Sequence, residues 1–164
     1  MAGPFNDAEP LAYLITWTTY GTWLPGDERG WHREHVPGLQ PGDSTLRRAA
    51  KLRMLESAFF MSDRHRSIVE ETIRRHCGVR NWFPHAMNPR TNHVHVVVTA
   101  PHYEPKIVRE QFQAWCTRML KQVIVDRTQF WTEGGSERCI NNESELERVV
   151  QYVLEAQDLK FLDE

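Results

Sequence analysis

His93 and His95 stand two residues apart in Asn-His-Val-His-Val-Val-Val, residues 92–98. A β-strand sends alternate side chains to opposite faces. Both imidazoles then point one way, while Val94, Val96 and Val98 point the other. Neutral imidazole is the commonest protein ligand for a metal ion, and two on one strand face can bind one divalent ion together. The competing account is a half-buried strand whose histidines are satisfied by hydrogen bonds. What separates the two accounts is the set of elements brought to that face.

A chain of 164 residues, 40% hydrophobic and 26% charged, suits one domain over 1–164 with a real core over 11–158. No apolar run approaches membrane-spanning length. Residues 1–7, Met-Ala-Gly-Pro-Phe-Asn-Asp, have neither the basic nor the apolar region of a secretory signal, so a cytoplasmic protein is expected. Cys77, Cys116 and Cys139 are odd in number, widely spaced, and form no disulfide framework. Cys77 and Cys116 fall in apolar helical contexts and read as small buried hydrophobes.

Residues 13–20, Tyr-Leu-Ile-Thr-Trp-Thr-Thr-Tyr, are aromatic and β-branched and predict a first strand. An insertion of loop and helix follows over 21–60. Five of the nine glycines lie between 21 and 42, with Pro25, Pro37 and Pro41, so that stretch is neither helix nor central strand. Its Trp23 and Trp31 read either as plugs packing the loop onto the domain or as platforms for unpaired bases. The spacing then predicts a short basic helix over 45–57 with Leu46, Ala49, Ala50 and Leu55 inward. A second helix runs from Ser62 to His76 or Cys77, ended by Gly78. Residues 82–88 predict an edge strand limited by Pro84, paired as a hairpin with the histidine strand. A long helix over 106–125 has Phe112, Trp115, Cys116, Met119 and Leu120 as core, with Arg109 among its polar positions. A short strand over 138–141 and a last helix complete the chain. The last helix opens with a Ser144-to-Glu147 capping box and carries an apolar stripe of Leu146, Val149, Val150, Val153 and Leu154.

Strand, helix, strand, strand, helix, strand is the split βαβ order. The fold class is therefore α+β: a ferredoxin-like antiparallel sheet with an added C-terminal helix and a long N-terminal loop insertion. The valine side of the histidine strand faces the two core helices. The imidazole side is bare unless the last helix docks there, which its unburied stripe requires. Tyr152 then lies at the edge of that contact with its hydroxyl near solvent. Gln157 falls on the stripe itself, where an amide needs a partner.

Charge is uneven. Residues 47–80 hold nine Lys/Arg against four acids, and residues 143–164 two against seven. Arg47, Arg48, Lys51, Arg53, Arg74 and Arg75 form a candidate anion-binding set, though charged runs are commonly no more than solvated helix faces.

Residues 92–98 resemble the histidine–hydrophobic–histidine motif of the single-tyrosine HUH transposases, which include insertion-sequence enzymes and the REP-associated tyrosine transposases of bacteria. In that family an asparagine often precedes the first histidine, and a ferredoxin-like core is followed by a helix carrying a tyrosine and a nearby glutamine. Tyr-Val-Leu-Glu-Ala-Gln, residues 152–157, is similar to that second motif. The resemblance spans roughly 11–158 in element order and rests on these two motifs. In better-known members the glutamine follows the tyrosine by four residues. Here Ala156 holds that place, which leaves the third metal ligand open between Gln157 and Glu155. The loop over 21–42 has no counterpart in the minimal family pattern.

The resemblance implies a divalent ion, Mg2+ or Mn2+, held by His93, His95 and Gln157. It implies Tyr152 as the nucleophile on a DNA phosphate, leaving a 5′-phosphotyrosine link, and single-stranded or hairpin DNA as partner of a monomer or homodimer. Tyr20 and Tyr103 are fallback nucleophiles. Two alternatives stand beside it: a nuclease on the same fold in which water attacks, and a hairpin-binding protein derived from a transposase that no longer cleaves.

Overall fold

The computed structural model describes residues 9–33 and 35–156. Strand β1 is Ala12–Thr18, and the insertion after it carries β2 (Trp31–His32), β3 (Leu39–Gln40) and helix α1 (Ser44–Leu52). There follow α2 (Asp63–Arg80), β4 (Phe83–Pro89), β5 (His93–Thr99), α3 (Pro105–Leu120), β6 (Ser136–Ile140) and α4 (Glu143–Gln151), the last continued by a π-helical turn, Tyr152–Ala156. Four strands form one antiparallel sheet in the order β4-β5-β1-β6, the ferredoxin-like arrangement. Among the described residues no helix is long and apolar enough to cross a membrane.

Strand alternation divides the core. Ile15, Trp17, Val94, Val96 and Val98 pack beneath α2 and α3, against Val69, Ile73, Phe112, Cys116 and Leu120. Ala12, Ala86, Val97 and Ile140 face the other way and are covered by Leu146, Val149 and Val153 of the C-terminal segment. The last helix thus docks on the imidazole side of the sheet, as its stripe required. Fully burying one such aliphatic side chain is worth about 1.5–3 kcal/mol, so this second cluster holds α4 in place. Cys77 and Cys116 are buried, and desolvation pushes both thiols up, that of Cys77 to about 11. They are packing residues.

Several expectations need correction. Helix α2 runs through Gly78 and ends at Asn81, whose φ of 59° takes the left-handed cap conformation. Glycine and asparagine both adopt that conformation readily, and tertiary packing chose the later one. Helix α3 stops at Leu120, and Val125 is left 85% exposed. Its buried line is Phe112, Cys116, Leu120, one helical turn apart, which leaves Trp115 40% exposed under the Arg118 guanidinium, 4.4 Å from its ring. Arg109, by contrast, is buried and sends its Nε to Glu137 of β6 at 2.5 Å. Helix α1 buries no residue and Leu55 is 80% exposed, because the helix rides on the insertion instead of on the sheet. Helix α4 is capped by Asn142, which accepts from the Glu145 amide, and not by Ser144.

Gly78 is an interior helical position, with open space where a Cβ would stand. Gly78→Ala should therefore stabilise the protein by about 0.5–1 kcal/mol, read as a raised denaturation midpoint at unchanged slope. A lowered midpoint would mean that the helix ends there after all.

Candidate functional site

The site is built on β5, the second strand from one edge of the sheet. In the ladder His93 lies opposite Thr18 and His95 opposite Thr16 on β1, while Asn88 of β4 flanks His95 on the other side. The two imidazoles share a face, their ring centroids 4.8 Å apart and their planes at 76°. Both are buried, at 3% and 6% exposure.

Each ring is oriented through Nδ1. His93 Nδ1 lies 2.9 Å from the Asn92 side-chain oxygen, which can only accept. In the tautomer that this contact favours, Nδ1 carries the proton. His95 Nδ1 lies 2.7 Å from Thr16 Oγ1, and its Nε2 is buried with no hydrogen-bond partner. A buried nitrogen left in that state costs free energy unless something binds it. Asn92 is itself anchored: its carbonyl accepts from Thr19 N at 2.8 Å and from Thr19 Oγ1 at 3.2 Å. Desolvation lowers the His95 pKa to about 4, so this imidazole is neutral at pH 7, the form that ligates metal.

The C-terminal segment closes over this pair. Tyr152 is half-buried against the second cluster, its ring centroid 6.0 Å from that of His95 at an interplanar angle of 69°. It begins the π turn, in which hydrogen bonds close over five residues instead of four. Asn88 Nδ2 donates to Val153 O within that turn at 2.9 Å. One β4 side chain thus stands beside His95 in the ladder and holds the backbone next to Tyr152. Neither Asn88 nor Thr16 carried any sequence signal, since each acts through a partner distant in the chain.

Of the two candidates for third ligand, Glu155 is exposed and receives Gln151 Nε2 at 3.3 Å. Among the described residues no three His, Cys, Asp or Glu are grouped as a metal site. Gln157 lies outside the described residues. The Tyr20 hydroxyl accepts from the Leu55 amide at 2.8 Å, and Tyr103 packs on Trp82 in the helix-side core. Neither fallback shares the imidazole face with Tyr152.

The basic residues divide into two groups. Arg47, Arg48 and Lys51 line one groove of about 580 Å³ with Gly26, Glu28 and Asp43, and Arg53 follows at the end of α1. Arg74 and Arg75 lie on α2, on the opposite side of the sheet from the histidines, paired with Glu70 at 3.2 Å and Glu71 at 3.0 Å.

No family model matches the sequence, and no curated protein matches it. Solved structures do. One is that of a REP-associated tyrosine transposase bound to a REP hairpin, 11% identical, with 88% of this chain and 65% of that chain covered and a TM-score of 0.48. At that level the likeness assigns no role to any residue here.

Two outcomes follow from this geometry. Above pH 6.5 His95 is neutral in both folded and unfolded chains. As pH falls the unfolded chain takes the proton near 6.5 and the folded chain only near 4, so stability is lost across that interval, by up to about 3 kcal/mol. Denaturation in chelator at pH 7 and pH 4.5 should show this loss, and His95→Gln should remove most of it. Asn88→Leu leaves Val153 O without its donor and should cost about 1–3 kcal/mol, with the Tyr152 ring signals shifting in NMR while those of Trp17 in the helix-side core stay in place.

Proposed function

We propose that the protein cleaves and rejoins single-stranded DNA through a covalent link between Tyr152 and a 5′-phosphate, with a divalent ion held by His93, His95 and Gln157. The observation that carries the reading is the buried, unpartnered Nε2 of His95 on the imidazole face that also receives the Tyr152 ring. The donor set fits such an ion. Two oriented imidazoles with an amide oxygen suit manganese more than magnesium, which prefers oxygen ligands throughout. Glu155 is exposed and already receives Gln151, which favours Gln157 as the third ligand.

When bound, the ion would draw charge from the non-bridging oxygens of the scissile phosphate. The chain's own residues do the rest. Asn92 and Thr16 keep the imidazoles in one orientation, and Asn88 keeps the π turn against β5. The Tyr152 oxygen forms the new bond to phosphorus as the bond from phosphorus to the 3′-oxygen breaks. The phenol proton leaves to a base or solvent, and the departing strand takes one as its 3′-hydroxyl. Attack by a 3′-hydroxyl on the phosphotyrosine reverses the exchange, so rejoining consumes no nucleotide. Arg47, Arg48, Lys51 and Arg53 would contact phosphates. Arg74 and Arg75 contribute less on this reading, since their charge is already partly spent on Glu70 and Glu71.

Incubation with hairpin DNA bearing single-stranded flanks and manganese should give a protein–oligonucleotide band on a denaturing gel. Tyr152→Phe should abolish the band while binding persists. Cleavage that survives Tyr152→Phe would mean water is the nucleophile. Binding with no cleavage by the parent protein, unchanged in a His93→Ala, His95→Ala double variant, would leave only a hairpin-binding protein. In a salt titration, Arg47→Ala with Arg48→Ala should lower the slope of log affinity against log salt by about 0.7 per lost contact.

A further inference from the structure

The loop that the sequence left without a role builds a second cavity at the same end of the sheet. It has a volume of about 500 Å³ and is lined by Tyr20, Trp23, Pro25, Trp131, Thr132 and Glu133, among others. Thr132 N donates to Thr18 O at 3.0 Å, and Thr18 lies opposite His93 in the ladder. Thr132 is therefore two strand spacings, about 10 Å, from His93.

The aromatic walls are held in place. Trp23 Nε1 donates to Gly30 O at 2.7 Å, and the Arg29 guanidinium lies 3.9 Å from the ring centroid. Arg29 is fixed in turn by the buried Asp27 carboxylate, at 2.8 and 2.9 Å, and by Thr22 O at 3.0 Å. Trp131 Nε1 donates to Thr117 Oγ1 at 2.9 Å and to Gln113 O at 3.1 Å. Both indole N–H groups are thus spent on setting the ring planes. What these walls offer a ligand is aromatic surface, which stacks on any base.

We propose that this cavity takes one unpaired nucleobase of the strand whose phosphate lies at His93 and His95. The inference rests on the reading of that pair as a single-strand site and adds a base-binding subsite to it. Charge separates this cavity from the groove beside α1. Arg47, Arg48 and Lys51 there suit phosphate, whereas Glu133 here repels it and accepts from an exocyclic amine. Adenine, cytosine and guanine carry such an amine, whereas thymine offers only its N3–H, set between two carbonyl oxygens that a carboxylate repels. The subsite therefore disfavours thymine.

The test is fluorescence anisotropy with hairpin DNA carrying short homopolymer tails, and with tails in which one nucleotide at a time is abasic. Trp23→Ala should weaken binding of the intact tail about tenfold, and Trp23→Phe should restore most of it. At one tail position, removing the base should cost the parent protein a similar factor and the Trp23→Ala variant almost nothing. Thymine tails should bind the parent most weakly, with the gap narrowed in Glu133→Gln. Equal losses for Trp23→Ala on every abasic tail, or no loss at all, would overturn the subsite. These readouts need no cleavage, so they stand apart from the adduct assay: a failed adduct with position-specific coupling intact would retire the chemistry and keep the base pocket.

Discussion

Burial of two imidazoles on one strand face is the constraint around which the rest is arranged. A histidine in water can satisfy both nitrogens, but one beneath a helix must find partners within the fold. Here Asn92, just before β5, and Thr16, on β1, supply one partner to each ring. The second nitrogen of His95 is kept neutral and without a hydrogen bond. On the proposed reading a divalent cation would take this lone pair, and its binding would add to stability.

The supports reach across the domain. Thr16 sits on the central strand β1, and its carbonyl lies against Gly135, where a Cβ would stand only 2.8 Å from that oxygen. The same glycine leaves room for the Arg109 side chain on its way to Glu137, which ties α3 to β6. A buried ion pair of this kind adds little net stability against an apolar replacement. Its effect is to fix the approach of 134–136 to β1, and hence the strand that orients His95. On the other flank, Asn88 couples β4 to the backbone that carries Tyr152. The position of Tyr152 is thus set by the sheet as well as by the apolar stripe of α4.

Features governed by local periodicity were legible in the sequence. The division of β5 into valine and histidine faces follows from period two. The docking of α4 on the histidine face follows from a stripe with nowhere else to go. Boundaries were less legible where two residues could serve equally well, as with Gly78 and Asn81, or Ser144 and Asn142. Pairings across the chain left no local trace: Thr16 with His95, Asn88 with Val153 and Arg109 with Glu137 are ordinary residues until the fold brings them together. The five-residue interval from Tyr152 to Gln157 is an intermediate case. It was visible as an anomaly of spacing; a π turn begins at the tyrosine, and Gln157 itself lies outside the described residues. The insertion over 21–60 showed its glycines, prolines and tryptophans but not its purpose, because what it builds depends on 129–133 far along the chain.

In the proposed function two imidazoles and a phenol converge on one cation. Titration of the isotope-labelled protein with substoichiometric Mn2+ reads that convergence directly, through paramagnetic broadening of ring signals. His93, His95 and Tyr152 should broaden together and first, with Trp115 on the far side of α3 unaffected. If those three rings stay sharp while carboxylate-bearing surface positions such as Glu70 and Glu71 broaden, the strand pair is structural and the account is wrong.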